Sequence, residues 1–163
     1  MKRNINVISF EMEGSELRFD PETSILLCRL KAGGRKLWVK KLNDLFVSDI
    51  IEDSRRYYIA CGSGEINGQF LAVKKESGST SWFIPGRSFL HLLYKGFLYL
   101  IFADDKNNFY LLKVHVSNGK SAWFHPVDAD LKEYVFMGNK IKLKYLSNKF
   151  EIISVKNGKS EDF

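Results

Sequence analysis

Histidine and cysteine side chains are the groups in this sequence best suited to bind a metal or to act in nucleophilic chemistry. The histidines are His91, His115 and His125, and they show no HxH or HxxxH spacing. Cys28 and Cys61 are isolated and form no CxxC pair. Metal sites need several such ligands in a compact arrangement, often at short spacing. We therefore expect no metal site, and we predict two reduced, buried thiols.

Acidic and glycine-rich segments could support calcium, phosphate or acid–base chemistry. Acidic residues fall in two predicted loops, at Asp104-Asp105 and between Asp128 and Glu133, without the alternating ladder of a calcium loop. The glycines of Gly62–Gly68 lack GxGxxG spacing and precede a predicted strand, which indicates a hairpin turn. No GxSxG elbow occurs. These patterns favour a non-catalytic protein with no cofactor.

The chain is basic, with a formal net charge of +6. One cluster of basic residues comprises Lys31, Arg35, Lys36, Lys40 and Lys41. A second set, Lys140, Lys142 and Lys144, alternates with apolar residues and indicates a strand with one face in solvent. The first cluster leaves open an alternative function, the binding of nucleic acid or another anionic ligand.

Length and hydropathy limit the architecture. The chain has 163 residues, which fits one domain. Its longest apolar run, Phe97–Ala103, is much shorter than the ~18 residues of a membrane span and suits a buried strand. Glu11 and Glu13 interrupt the N-terminal segment too early for a signal peptide. We therefore expect a cytoplasmic protein.

Tryptophans reveal an internal repeat. Trp38, Trp82 and Trp123 recur at intervals of 44 and 41 residues. Each follows a glycine by four residues, and the series of glycines is Gly34, Gly78, Gly119 and, without a following tryptophan, Gly158. We predict repeats at about residues 1–42, 43–86, 87–127 and 128–163, together forming a single domain.

Each repeat contains short runs rich in β-branched and aromatic residues, separated by polar turns. The segment from Leu45 to Ser54 could pass for a short helix, but its place in the repeat predicts a strand. Four strands in series at a period near 40 are typical of a β-propeller blade. We therefore predict an all-β, propeller-like array of about four four-stranded antiparallel blades.

The repeat resembles the tryptophan-docking repeat of quinoprotein-type propellers, with the pattern A-x-D-x-x-T-G-x-x-x-W. Residues 72–82, AVKKESGSTSW, keep its Ala, Gly and Trp, with Lys74 at the Asp position and Ser77 at the Thr position. The other copies depart further, with His115 or Leu30 at the Asp position. The resemblance implies a propeller fold. It does not imply the quinone chemistry, because no adjacent cysteine pair is present.

Two closures and three functions follow from this architecture. The chain could form a small closed ring, with the segment Asn4–Met12 completing the last blade, or a half ring that associates with another subunit. We favour a non-catalytic scaffold that binds a protein partner or a second copy of itself. The alternatives are the anionic-ligand function above and a small-molecule site at the propeller centre.

Overall fold

Antiparallel β-sheets make up the whole described structure. The computed structural model describes residues 6–43, 45–63 and 67–161, which contain fifteen strands and no helix. The strands form four sheets, consecutive in the chain, and neighbouring strands in each sheet are also consecutive. The prediction of an all-β fold built from about four blades is therefore confirmed.

The first two sheets have four strands each. The first sheet contains β1 (Ile8–Glu11), β2 (Ser15–Asp20), β3 (Ile25–Leu30) and β4 (Lys36–Lys41). The second contains β5 (Phe46–Glu52), β6 (Arg56–Ser63), β7 (Asn67–Lys74) and β8 (Thr80–Pro85). The segment from Leu45 to Ser54 is thus a strand, as its place in the repeat predicts.

The last two sheets differ in size. The third sheet contains β9 (Arg87–Tyr94), β10 (Phe97–Ala103), β11 (Phe109–His115) and β12 (Ser121–Val127). The fourth contains β13 (Leu131–Met137), β14 (Lys140–Tyr145) and β15 (Phe150–Ser154). Beyond β15, Ser160 forms a single bridge to Ile153, so a three-stranded sheet replaces the expected fourth blade of four strands.

The chain divides into two compact units, Met1–Arg87 and Ser88–Phe163, and each contains two sheets. The core of the first unit includes the fully buried Leu17, Phe19 and Leu26. The core of the second includes the fully buried Leu111 and Leu143. Alternating strand residues supply both cores, because successive side chains of a strand point to opposite faces of the sheet.

The N-terminal segment does not complete the last blade. Residues Ile8–Glu11 form β1, which pairs with β2 of the first sheet, Ile8 opposite Phe19. The expected role of Asn4–Met12 is therefore wrong for the part that the structure describes, and residues 4 and 5 lie outside that part. The reason is local: a tight turn at Glu13 and Gly14 is closed by a hydrogen bond from Met12 N to Ser15 O at 3.0 Å.

Candidate functional site

A tryptophan of the first sheet packs on a glycine of the second. A Cβ atom placed on Gly78 would lie only 2.5 Å from the Trp38 ring, so no side chain fits there. The Trp38 indole N–H donates a hydrogen bond to Lys75 O at 2.7 Å. Gly78 also has a φ of +72°, which an L side chain rarely adopts. The glycine thus serves both the turn and the contact.

The second unit repeats this packing of a tryptophan on a glycine, which we call a joint, between the third and fourth sheets. A Cβ atom on Gly158 would lie 2.5 Å from the Trp123 ring, and the φ of Gly158 is +68°. The Trp123 indole N–H donates to Val155 O at 2.9 Å. In both joints the acceptor carbonyl precedes the glycine by three residues, a relation that the sequence repeat alone did not identify.

The other tryptophan and the other two glycines of the repeat have different surroundings. Trp82 is buried and packs beside Tyr58 and Phe70 of its own sheet, with ring centroids 5.9 and 6.2 Å away. Gly119 has a φ of +73°, as the glycines of the two joints do. Gly34 has a φ of +68°, but no described atom lies within 4 Å of a Cβ atom placed on it.

The residues of the predicted basic cluster have different partners. Lys40 Nζ donates to Gly78 O at 3.0 Å and to Thr80 Oγ1 at 2.9 Å, so it ties β4 to the second sheet. Burial lowers the pKa of Lys40. Lys31 pairs with Glu11 at 3.2 Å. Four residues of the cluster are exposed: Lys31, Arg35, Lys36 and Lys41.

A basic cavity lies instead at one end of the second sheet. Its volume is about 410 Å³. Two neighbouring hairpin turns supply its lining residues, which are Ser54, Arg55, Arg56, Lys74, Lys75 and Glu76. Lys75 Nζ pairs with Glu52 at 2.7 Å, while Arg55 and Lys74 form no ion pair within the described part of the chain. The sequence could have indicated this cavity only once the register Arg56↔Lys74 was known.

Asp53, beside the cavity, is held by hydrogen bonds. Burial alone would raise its pKa, but its carboxylate accepts bonds from the Tyr58 hydroxyl at 2.5 Å and from the N–H groups of Arg55 and Arg56, both at 2.8 Å. These donors prevail, so the pKa of Asp53 is lowered. Asp53 therefore fixes the turn, and its negative charge also interacts with Arg56 of the cavity lining.

Exposed apolar side chains recur at one position of the repeat. The residues directly after the tryptophans are Val39, Phe83 and Phe124, and their exposed fractions are 49%, 56% and 61%. They lie on β4, β8 and β12, the last strand of each four-stranded sheet. Among the described strands each of these pairs with one neighbour only, so its other edge has free backbone groups. These three positions could have been recognised from the sequence, because each directly follows a tryptophan.

The histidine, cysteine and acidic side chains of the described residues form no metal-binding group. Within the described residues, no three His, Cys, Asp or Glu side chains are grouped to hold a metal ion. His125 lies 2.9 Å from Gly158 O and 3.0 Å from Glu151. Cys28 and Cys61 are buried and free, and burial raises the pKa of the Cys61 thiol to about 12. The described residues contain no helix that is long and apolar enough to cross a membrane.

Comparison with known proteins supports the architecture. No family model matches the chain, and no curated protein has a similar sequence. BamB from Moraxella catarrhalis is 10% identical over 98% of this chain and 48% of its own, with a TM-score of 0.65. A europium-containing methanol dehydrogenase is 10% identical over 94% of this chain and 40% of its own, with a TM-score of 0.70.

A quinohemoprotein alcohol dehydrogenase from Pseudomonas putida HK5 is also similar, at 11% identity and a TM-score of 0.67, over 94% of this chain and 33% of its own. The chain thus spans about half the length of BamB and less of the two dehydrogenases. At these identities the likeness concerns the fold alone. The four sheets are blades of the β-propeller class of folds, and membership of the narrower quinoprotein-type repeat family stays a prediction.

Proposed function

We propose that this chain is a non-catalytic scaffold that binds another protein through the outer strands of its blades. The observation that carries the proposal is the exposed apolar side chain that follows each tryptophan, namely Val39, Phe83 and Phe124. Phenylalanine is enriched at protein interfaces relative to the rest of the surface. Buried at an interface, a phenylalanine side chain contributes roughly 1.5–3 kcal/mol through the hydrophobic effect.

The strands that carry these three side chains support the same proposal. β4, β8 and β12 are edge strands of their sheets. An edge strand offers unpaired N–H and C=O groups to an extended segment of a partner, while neighbouring side chains give specificity. Each of the three four-stranded sheets therefore combines an apolar anchor with free backbone groups on its last strand.

Photo-crosslinking tests this proposal. We would replace Phe124 or Phe83 by a photoreactive phenylalanine analogue in the full chain and expose it to native extract. We expect discrete protein adducts from both positions. The matched control places the analogue at Lys106, an exposed residue of the turn between β10 and β11. Adducts no more abundant than those from position 106 would contradict a protein-binding role for these strands.

Anion binding is the second candidate function. The observation that favours it is the basic cavity at Arg55, Arg56, Lys74 and Lys75. Phosphate groups bind arginine and lysine through charge-assisted hydrogen bonds, and such binding weakens as salt rises. The test compares the wild type with an R55A/K74A variant. For each protein we would measure binding of single-stranded RNA and of pyrophosphate at low salt. Equal binding by both proteins would exclude the cavity.

A further inference from the structure

The two joints define what holds a tryptophan on a neighbouring sheet. In each, a glycine at positive φ lies under the indole, and a carbonyl three residues earlier accepts the indole N–H. The turn that carries the glycine is closed by an N–H···O bond, from Lys74 to Ser79 in one joint and from Ser154 to Lys159 in the other, both 2.9 Å long. We call this arrangement an indole seat.

The turn between β3 and β4 shares two backbone hydrogen bonds with the turn of Gly78. It differs in a second positive φ, +77° at Gly33, and, among the described residues, it lacks a counterpart of the bond that Gly78 N donates to Lys74 O at 2.8 Å. Leu30 N donates to Arg35 O at 2.9 Å, which corresponds to the closing bond of both seats. Lys31 N donates to Gly14 O at 3.2 Å, just as Lys75 N donates to Arg55 O at 3.0 Å. These bonds make Lys31 the counterpart of Lys75. The Lys31 carbonyl is therefore the counterpart of the acceptor that binds the Trp38 indole.

A charged pair extends the correspondence. Lys75 pairs with Glu52 of β5, and Lys31 pairs with Glu11 of β1, the first strand of its own sheet. The glycines correspond too, since φ is +68° at Gly34 and +72° at Gly78. They differ in occupancy: the Trp38 ring covers Gly78, whereas no described atom lies within 4 Å of the Cβ position of Gly34.

We propose that the Gly34 turn is an open indole seat that binds a tryptophan side chain of another polypeptide. The indole stacks on Gly34 and donates its N–H to Lys31 O, as Trp38 does at Gly78 and Lys75. The occupied seats of the same molecule identify the occupant as tryptophan. This inference rests on the proposed protein-binding function and names the chemistry of the partner.

The partner is a different protein rather than a second copy. Trp38 and Trp123 are buried in joints, and Trp82 is 8% exposed among aromatic neighbours. A second copy would have to withdraw one of these side chains from its own core. We therefore expect a partner that presents an exposed tryptophan on an extended segment.

A peptide of residues 35–42, RKLWVKKL, is a suitable probe, because this segment carries the tryptophan that fills the seat at Gly78. Titrated into the isotope-labelled full chain, it should shift the amide resonances of the turn from Lys31 to Arg35 saturably. A peptide with alanine for tryptophan should leave them unchanged. Shifts confined to other parts of the chain, or no saturable shift, would overturn the proposal.

Two protein variants make the test specific. Gly34→Ala places a methyl group inside the seat, and we expect affinity for the peptide to fall at least about tenfold, equivalent to ~1.4 kcal/mol. Gly33→Ala is the matched control, because Gly33 has a φ of +77° and equally open surroundings but is not the seat glycine. Unchanged affinity in Gly34→Ala, or equal losses in both folded variants, would overturn the proposal.

A phenylalanine-substituted peptide tests the seat without altering the protein. It keeps an aromatic ring but lacks the N–H donor, so we expect weaker binding to wild type, and equal binding would contradict the assigned hydrogen bond. The crosslinking experiment at Phe83 and Phe124 is independent of these titrations. Adducts there combined with no peptide binding would refute the seat alone, whereas absent adducts would refute the proposed docking strands.

Discussion

The indole of Trp38 and the missing side chain of Gly78 act as one unit. The ring occupies the position that a Cβ atom would take, and its N–H satisfies the carbonyl of Lys75 in the same turn. A glycine chosen only for its turn conformation would tolerate a neighbour at ordinary distance. Gly78 instead combines a positive φ with direct contact to the ring, so two separate constraints exclude any larger residue.

Trp38→Phe isolates the hydrogen-bonding part of this unit. Phenylalanine retains most of the buried apolar surface but leaves Lys75 O without its donor. We expect the free energy of unfolding to fall by about 1–3 kcal/mol, the cost of an unsatisfied buried polar group plus some lost packing. Urea unfolding measures the change. Val39→Ala, at the adjacent half-exposed position, is the control and should cost within about 0.5 kcal/mol.

Asp53 should contribute to the stability of the fold in a pH-dependent way. Its pKa is lowered in the folded protein, so its stabilising effect is present above its unfolded pKa of about 3.9 and is lost as pH falls through the folded value. We expect Asp53→Asn to destabilise the protein at neutral pH, and the difference from wild type to shrink at acidic pH below that range. Unfolding curves at both pH values give the comparison. A difference independent of pH would contradict the role assigned to the carboxylate.

β2 has a weaker strand pattern than the strands whose aromatic residues recur in the repeat. Ser15–Asp20 offers only Leu17 and Phe19 as apolar residues, separated by charged ones, and it precedes the first glycine–tryptophan signature. In the structure both apolar side chains are fully buried, while Arg18 points to the opposite, exposed face. Two apolar residues thus suffice for a central strand, because β1 and β3 flank it and the second sheet covers it.

Phe19→Ala tests whether β2 is a core strand. Phe19 is fully buried and contacts Phe46 edge to face, with ring centroids 5.7 Å apart. We expect a loss of about 3–5 kcal/mol in the free energy of unfolding, typical of a large-to-small change in a core. The neighbouring change Arg18→Ala, on the exposed face, should cost less than about 1 kcal/mol, since exposed ion pairs contribute little. Similar losses in the two variants would contradict the assigned faces.

The limits of the sequence are clearest in pairings between distant residues. Tryptophan and glycine spacing predicted the repeat, but it could not show that Trp38 covers Gly78, because that contact depends on how two sheets pack. Two residues of the predicted basic cluster illustrate the same limit. Lys40 and Lys41 are adjacent in sequence, yet consecutive residues of a strand point to opposite faces, and Lys40 donates to the second sheet.

Each compact unit has a core and one tryptophan–glycine joint of its own. We therefore expect local effects from disrupting either joint. In hydrogen-exchange measurements, Trp38→Phe should lower protection mainly in strands of Met1–Arg87, and Trp123→Phe mainly in strands of Ser88–Phe163. The two variants serve as each other's control. Uniform loss of protection in both would mean that the units unfold together.

The claim that tryptophan packing on glycine joins neighbouring blades is tested most directly by comparing Gly78→Ala with Gly33→Ala in chemical denaturation. Both glycines have positive φ, so each substitution costs roughly 1–2 kcal/mol in backbone strain. Only the methyl group at Gly78 collides with the Trp38 ring, at 2.5 Å, whereas Gly33 has open space. We predict that Gly78→Ala lowers the free energy of unfolding by a further 1–3 kcal/mol or so, the usual cost of overpacking. Equal losses in the two variants would contradict the joint.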